Sequence, residues 1–113
     1  MRIVLIGSEA PGLGAALAAH LRLDHIHRLD AASAAGFVLE GAPRDIEQAR
    51  ALDDRLRTRG AEVDAVLWVS GWILSPQLEA VLDHYRSRVV QLDAGAEPLE
   101  AALDGLREAL LTA

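Results

Sequence analysis

A chain of 113 residues with net charge −6 and 51% hydrophobic residues has the length of a single domain, residues 1–113, and enough apolar material for a core. Aromatics are only 4%, so that core falls to Leu, Val, Ile and Ala, and the acidic balance argues against nucleic acid as a partner. Cysteine is absent, which excludes disulfides and cysteine-based metal or redox chemistry. No apolar run reaches membrane-spanning length and the first residues enter a strand without a cleavable signal, so no membrane partner and a cytoplasmic location are expected.

Residues 1–7 read as a short, continuously apolar strand of the kind buried on both faces, ending at a glycine. A glycine-bearing turn follows over residues 7–14. Residues 12–23 then carry Leu13, Leu17 and Leu21 at helical spacing. Residues 25–29 are a weak second strand, and residues 36–41, with Phe37, Val38 and Leu39, a clear third. Residues 44–59 form a charged helix with Ile46, Ala49, Leu52 and Leu56 on one stripe, stopped by Gly60. Residues 64–70 are the fourth strand. Ser75 and Pro76 supply an N-cap and a first helical position for a helix reaching about Tyr85. Residues 88–93 are the fifth strand, and Pro98 opens a last helix with Leu99, Ala102, Leu103, Leu106 and Leu110 facing inward. Strands alternating with helices predict a three-layer α/β/α sandwich around a five-stranded parallel sheet.

In such folds the loop after the first strand, leading into a helix N-terminus, is the natural anion site. Here it reads Gly7-Ser8-Glu9-Ala10-Pro11-Gly12-Leu13-Gly14-Ala15. A phosphate-binding P-loop has glycine, four residues, glycine, lysine, then Ser or Thr. Gly7 and Gly12 keep that register, but Leu13 stands where lysine belongs, and a shifted register puts Ala15 there. The chain contains no lysine at all, since its eleven basic residues are all Arg. Pro11 has no N–H to donate, and Glu9 brings negative charge toward a bound phosphate.

A second stretch is more specific: Gly36-Phe37-Val38-Leu39-Glu40-Gly41-Ala42-Pro43-Arg44-Asp45-Ile46-Glu47-Gln48-Ala49. It joins a strand, a Gly-x-Pro-Arg turn and a helix with Gln four residues after the Arg. This resembles the adenylate kinase family around its aspartate-glycine-phenylalanine-proline-arginine motif. The resemblance extends to residues 1–21 as first strand, P-loop and first helix, to residues 63–67 as fourth strand, and to Gln91-Leu92-Asp93-Ala94-Gly95 near the ATP adenine. It implies a P-loop nucleotide-kinase-like core with strand order 2-3-1-4-5. In that family the Arg contacts the monophosphate and the Gln hydrogen-bonds the adenine, positions held here by Arg44 and Gln48. Glu40 replaces the aspartate that supports hydrated magnesium, and Ala42 replaces the phenylalanine.

The resemblance therefore names Gly7, Gly12, Leu13, Gly14, Glu40, Arg44 and Gln48 as nucleotide- or phosphate-binding positions, with AMP, ADP or ATP and Mg as ligands. It names no catalytic residue. The monophosphate-binding arm has only residues 30–35 available, and the arginine-bearing lid only residues 71–87. Phosphoryl transfer is mostly positioning and charge stabilisation in a water-excluded site, so the expectation is a catalytically inactive relative. Three other readings stand beside it: an interaction or scaffold module without nucleotide binding, a residual nucleoside monophosphate kinase, and a degenerate dinucleotide-binding domain. The last rests on Gly12-Leu13-Gly14 and on Asp30 as a ribose-binding acid, although the glycine spacing is one residue too long.

His25-x-His27 on an extended strand points both rings to one face, with Asp24 and Asp30 near. With no evident third ligand, the pair reads as surface or hydrogen-bonded histidines and no metal site is assigned. Trp68 and Trp72 flank the end of the fourth strand, as packing over the cleft or as a partner or homodimer surface. Arg50, Arg55, Arg57 and Arg59, interleaved with Asp53 and Asp54, read as a solvated helix face.

Overall fold

The computed structural model describes residues 1–6, 12–69, 75–92 and 98–111. Five strands, β1 (Arg2–Ile6), β2 (Asp24–Ile26), β3 (Phe37–Glu40), β4 (Ala65–Val69) and β5 (Val89–Leu92), form one sheet in the order β2-β3-β1-β4-β5. Every pairing is parallel. Four helices cover it: α1 (Leu13–Leu21), α2 (Ile46–Arg57), α3 (Pro76–His84) and α4 (Pro98–Leu111). This is the expected layer sandwich and strand order. β3 lies between β2 and β1, whereas a standard dinucleotide-binding sheet runs 3-2-1. Asp30 likewise sits in a 3-10 turn (Leu29–Ala31), exposed and paired with Arg28 at 2.8 Å. The dinucleotide reading is thereby set aside.

The apolar strands acquire two buried faces because successive side chains point opposite ways. Ile3, Leu5, Val38 and Leu67 pack under Leu13, Leu17 and Ala18 of α1 and Ala102 and Leu106 of α4. Val4, Ile6, Phe37, Leu39 and Val66 pack under Ala49, Leu52 and Leu56 of α2 and under Val81 and Tyr85. Fully burying a side chain of this size contributes roughly 1.5–3 kcal/mol, so the doubly covered central strands hold the fold together.

Helix ends follow local chemistry. α1 stops where Arg22 turns left-handed (φ +57), with Arg22 N–H donating to Ala19 O at 3.3 Å and Leu23 N–H to Ala18 O at 2.8 Å. These two bonds satisfy carbonyls that the helix end would leave open. α3 starts at Ser75, whose hydroxyl accepts from Leu78 N–H at 3.2 Å, with Pro76 in the first turn. α2 begins at Ile46 rather than at the expected Arg44. The Asp45 carboxylate caps the helix by accepting from Gln48 N–H at 2.9 Å, which leaves Arg44 outside it. The second strand, expected over residues 25–29, runs Asp24–Ile26 instead, because the chain passes into a 3-10 turn at Leu29–Ala31. Among the described residues no helix is long and apolar enough to cross a membrane.

Candidate functional site

At the carboxyl end of β3 the chain leaves Glu40 through Gly41 (φ +91), crosses a cis Ala42–Pro43 bond and reaches Arg44 just before α2. The left-handed conformation at Gly41 is one that L side chains rarely adopt. Pro43 is buried and Arg44 exposed. Two hydrogen bonds fix Arg44. Its backbone N–H donates to Gln48 Oε1 at 2.8 Å, and its Nε donates to Gly41 O at 3.1 Å. Among the described residues no carboxylate forms an ion pair with it. The guanidinium is therefore anchored through its inner nitrogen, while its outer fork, the part suited to phosphate or carboxylate, is in no ion pair with a described carboxylate.

Arg44 borders a cleft of about 330 Å³ lined by Leu5, Ile6, Glu40, Pro43, Ser75 and Leu78. The floor is the apolar carboxyl end of β1, the walls are the β3–α2 turn and the start of α3. A site at the carboxyl edge of a parallel sheet is where open α/β folds place ligands. Its volume falls in the usual range for small-molecule pockets, about 300–1,000 Å³. Gln48, the expected adenine contact, uses its amide oxygen to hold the Arg44 backbone. Asp45 caps the Gln48 N–H, and Gln48 reaches one residue past the cap to accept from the Arg44 N–H, a variation on the capping box that the Asp-x-x-Gln spacing signals.

The first loop looks different. Gly7 and Ser8-Glu9-Ala10-Pro11 lie outside the described residues. Gly12 is left-handed (φ +81) and precedes α1 without a side-chain cap. Leu13, at the lysine register, is 4% exposed and packs in the core beneath α1. Its side chain thus belongs to the hydrophobic layer, and only its backbone could meet an anion. Gly14 is also buried, and a Cβ there would come within 2.5 Å of Glu40 Oε1 and 2.7 Å of His25 Nε2. Glycine at this position lets α1 close over a polar pair.

That pair joins the two strands. His25 Nε2 and Glu40 Oε1 are 2.9 Å apart, both side chains about four-fifths buried (23% and 19% exposed). His27 stands beside them, its ring centroid 4.4 Å from that of His25. The expected common face of the two histidines is present, and its third member is Glu40 rather than Asp24 or Asp30. The register explains this: His25 pairs with Val38, so Glu40, two residues on, shares the face of both rings.

Trp68 is half-buried against the α2–α3 layer, and its indole nitrogen is buried without a hydrogen-bond partner among the described residues. Trp72 and Asp93-Ala94-Gly95 lie outside the described residues. Arg55 is not part of a solvated face, because its Nε donates to Ala32 O at 2.9 Å. A cluster on the other side of α2 was not legible in the sequence. Tyr85 donates its hydroxyl to Asp53 Oδ1 at 2.8 Å, and Asp53 Oδ2 lies 2.6 Å from His84 Nε2. Burial, followed by the hydrogen bond to Asp53, pushes the Tyr85 phenol well above its ordinary value of 10.0. The cluster fastens α3 to α2 and so fixes one wall of the cleft.

Fold and site define an α/β layer protein with the strand order of a P-loop nucleotide-kinase-like core and an arginine turn at its carboxyl edge. No protein-family model matches the chain. A local stretch is similar to adenylate kinases: that of Mycobacterium tuberculosis is 50% identical over 44 residues, 39% of this chain and 23% of the relative. The adenylate kinase of Mycolicibacterium vanbaalenii is 55% identical over 38 residues, 34% of this chain and 21% of the relative. That of Mycobacterium ulcerans is 57% identical over 35 residues, 31% and 19%. Each match spans less than a quarter of the relative's own length, so the likeness to adenylate kinases is a partial one.

Proposed function

We propose that this chain is an adenylate-kinase-like protein that binds the phosphate of a nucleoside monophosphate at Arg44 and does not transfer phosphoryl groups. The observation that carries the reading is the anchored arginine at the cleft: Nε held on Gly41 O at 3.1 Å, with no carboxylate paired to the guanidinium among the described residues. A charge-assisted bond of this type contributes roughly 1.5–3 kcal/mol. The partial likeness to adenylate kinases supports the choice of a nucleotide as ligand.

Absence of catalysis is supported by chemistry that the chain lacks. It has no lysine, and Leu13 at that register is buried. Losing one preorganised charge costs on the order of 10² or more in rate. The short β2–β3 and β4–β5 connections leave little chain for an arm and a lid that would exclude water. Magnesium, which the resemblance implies, does not suit the donors next to Glu40. Mg²⁺ prefers an all-oxygen octahedral shell, whereas Glu40 Oε1 is engaged by an imidazole nitrogen at 2.9 Å. No step is therefore assigned to magnesium.

Calorimetry with AMP, ADP and ATP on the wild-type chain tests the binding half, and 1:1 binding of AMP is expected. No heat with any of the three overturns it in favour of a protein-interaction module. A coupled phosphotransfer assay tests the other half: turnover above buffer would make the chain a residual kinase.

A further inference from the structure

We propose that His25, His27 and Glu40 form a binding site for a transition-metal dication of the zinc class. One donor atom from each residue falls in a group whose members all lie within 4.8 Å of one another. Zinc bonds of about 2.0–2.2 Å to nitrogen and oxygen put tetrahedral donors roughly 3.3 Å apart. The His25–Glu40 separation of 2.9 Å is already close to that value. Closing a spread of at most 4.8 Å to that value asks a movement of about 1.5 Å of the exposed His27 ring.

The backbone prepares the arrangement. Alternation along β2 and its continuation sends His25 and His27 to one face, and the parallel register His25↔Val38 brings Glu40 to that same face. Gly14 then removes the one atom that would fill the space above them, since its Cβ would reach both Glu40 Oε1 and His25 Nε2 at under 3 Å. A hydrogen bond between His25 and Glu40 explains two of the three groups and the glycine. It gives no reason for a second imidazole in ring contact with the first. A dication accounts for all three by taking the place of the hydrogen between His25 Nε2 and Glu40 Oε1, with the His25 ring binding as the neutral imidazole that carries its one proton on Nδ1.

The donor set selects the metal. Two imidazoles and one carboxylate suit Zn²⁺ and its neighbours, while Mg²⁺ and Ca²⁺ favour oxygen alone. Two histidines with a glutamate are a three-ligand set of the open kind, which leaves a further coordination position for water or a small anion. His27 is exposed, so an ion has a route in from solvent. Glu40 also borders the Arg44 cleft, which places the metal beside that pocket. The inference does not depend on nucleotide binding there.

The test uses the untagged, chelator-treated full chain without nucleotide. Zn²⁺ titrated by calorimetry should bind 1:1 and raise Tm, and Co²⁺ should give visible absorption bands of a four- or five-coordinate site. His27→Ala removes an exposed side chain and leaves the core intact, and it should weaken Zn²⁺ at least about tenfold. Gly14→Ala, which keeps all three ligands but crowds them, should weaken it as well. His84→Ala, on the opposite layer, should leave the affinity unchanged. No 1:1 binding by the wild type, equal affinity in His27→Ala, or loss of binding in His84→Ala would each overturn the proposal.

Discussion

Two strand–turn–helix units meet at the carboxyl edge of the sheet, and they are built from opposite materials. The β1–α1 unit enters its helix through a left-handed glycine without a side-chain cap, and its first helical residues, Leu13 and Gly14, are buried. No acidic residue occupies its first turn. The β3–α2 unit enters through Arg44, Asp45 and Gln48, which are linked by two hydrogen bonds, while a third ties Arg44 back to Gly41. The first unit spends its sequence on packing, and the second holds a charge in place at a cleft. A helix N-terminus after the first strand is the default anion site of such folds; the proposed function puts the anion one unit further along, at Arg44.

The difference can be probed by breaking each unit in turn. The largest effect is expected from Tyr85→Phe, which removes the donor holding α3 to α2. It leaves the Asp53 oxygen and the Ala49 carbonyl without that donor, a loss of about 1–3 kcal/mol in chemical denaturation. The same residue predicts an alkaline signature. Its phenol is raised in the folded protein by burial and by Asp53, so above about pH 10 the unfolded chain has lost a proton that the folded one keeps. Wild-type stability should fall as pH rises through that range, and the Tyr85→Phe protein should lack this part of the decline.

Gly12→Ala should cost about 1–2 kcal/mol, the expense of a left-handed backbone with a Cβ. The effect is conformational rather than steric, because a Cβ there meets nothing within 4 Å. Asp45→Ala should cost about 1 kcal/mol through the lost cap, and it should also loosen Arg44 and weaken any anion held by it. Arg44→Ala is expected to change stability by less than about 0.5 kcal/mol, as for an exposed residue outside the core. Thermal melts of the four variants at one pH rank them directly. An Arg44→Ala protein destabilised more than Asp45→Ala would mean that the arginine serves the fold.

The layers were legible because apolar runs alternate with glycine or proline breaks along the chain, whereas the strand order came only with the resemblance. The start of α2 was less so: a helical stripe through Ile46, Ala49, Leu52 and Leu56 does not show where the first turn ends, and the Asp45 cap decides it. The resemblance singles out Arg44 and Gln48 as candidates, but nothing in it shows the bond between them, which turns the Gln48 amide oxygen toward the backbone. The partner of the histidines was hidden because it lies fifteen residues away on the next strand. Periodicity places both rings on one face, and only the β2–β3 register brings Glu40 to them. The Tyr85–Asp53–His84 cluster was hidden for the same reason, its members being about thirty residues apart on two helices.

The contrast between the two turns is tested most directly by titrating AMP into the wild-type, Arg44→Ala and Gly12→Ala chains by calorimetry. The account predicts that Arg44→Ala weakens AMP by at least tenfold, a loss of about 1.4 kcal/mol. Gly12→Ala, folded by its melt, should bind within about twofold of wild type, a difference well under 1 kcal/mol. Equal affinity in Arg44→Ala, or a loss confined to Gly12→Ala, would put the anion site back at the first loop and contradict it.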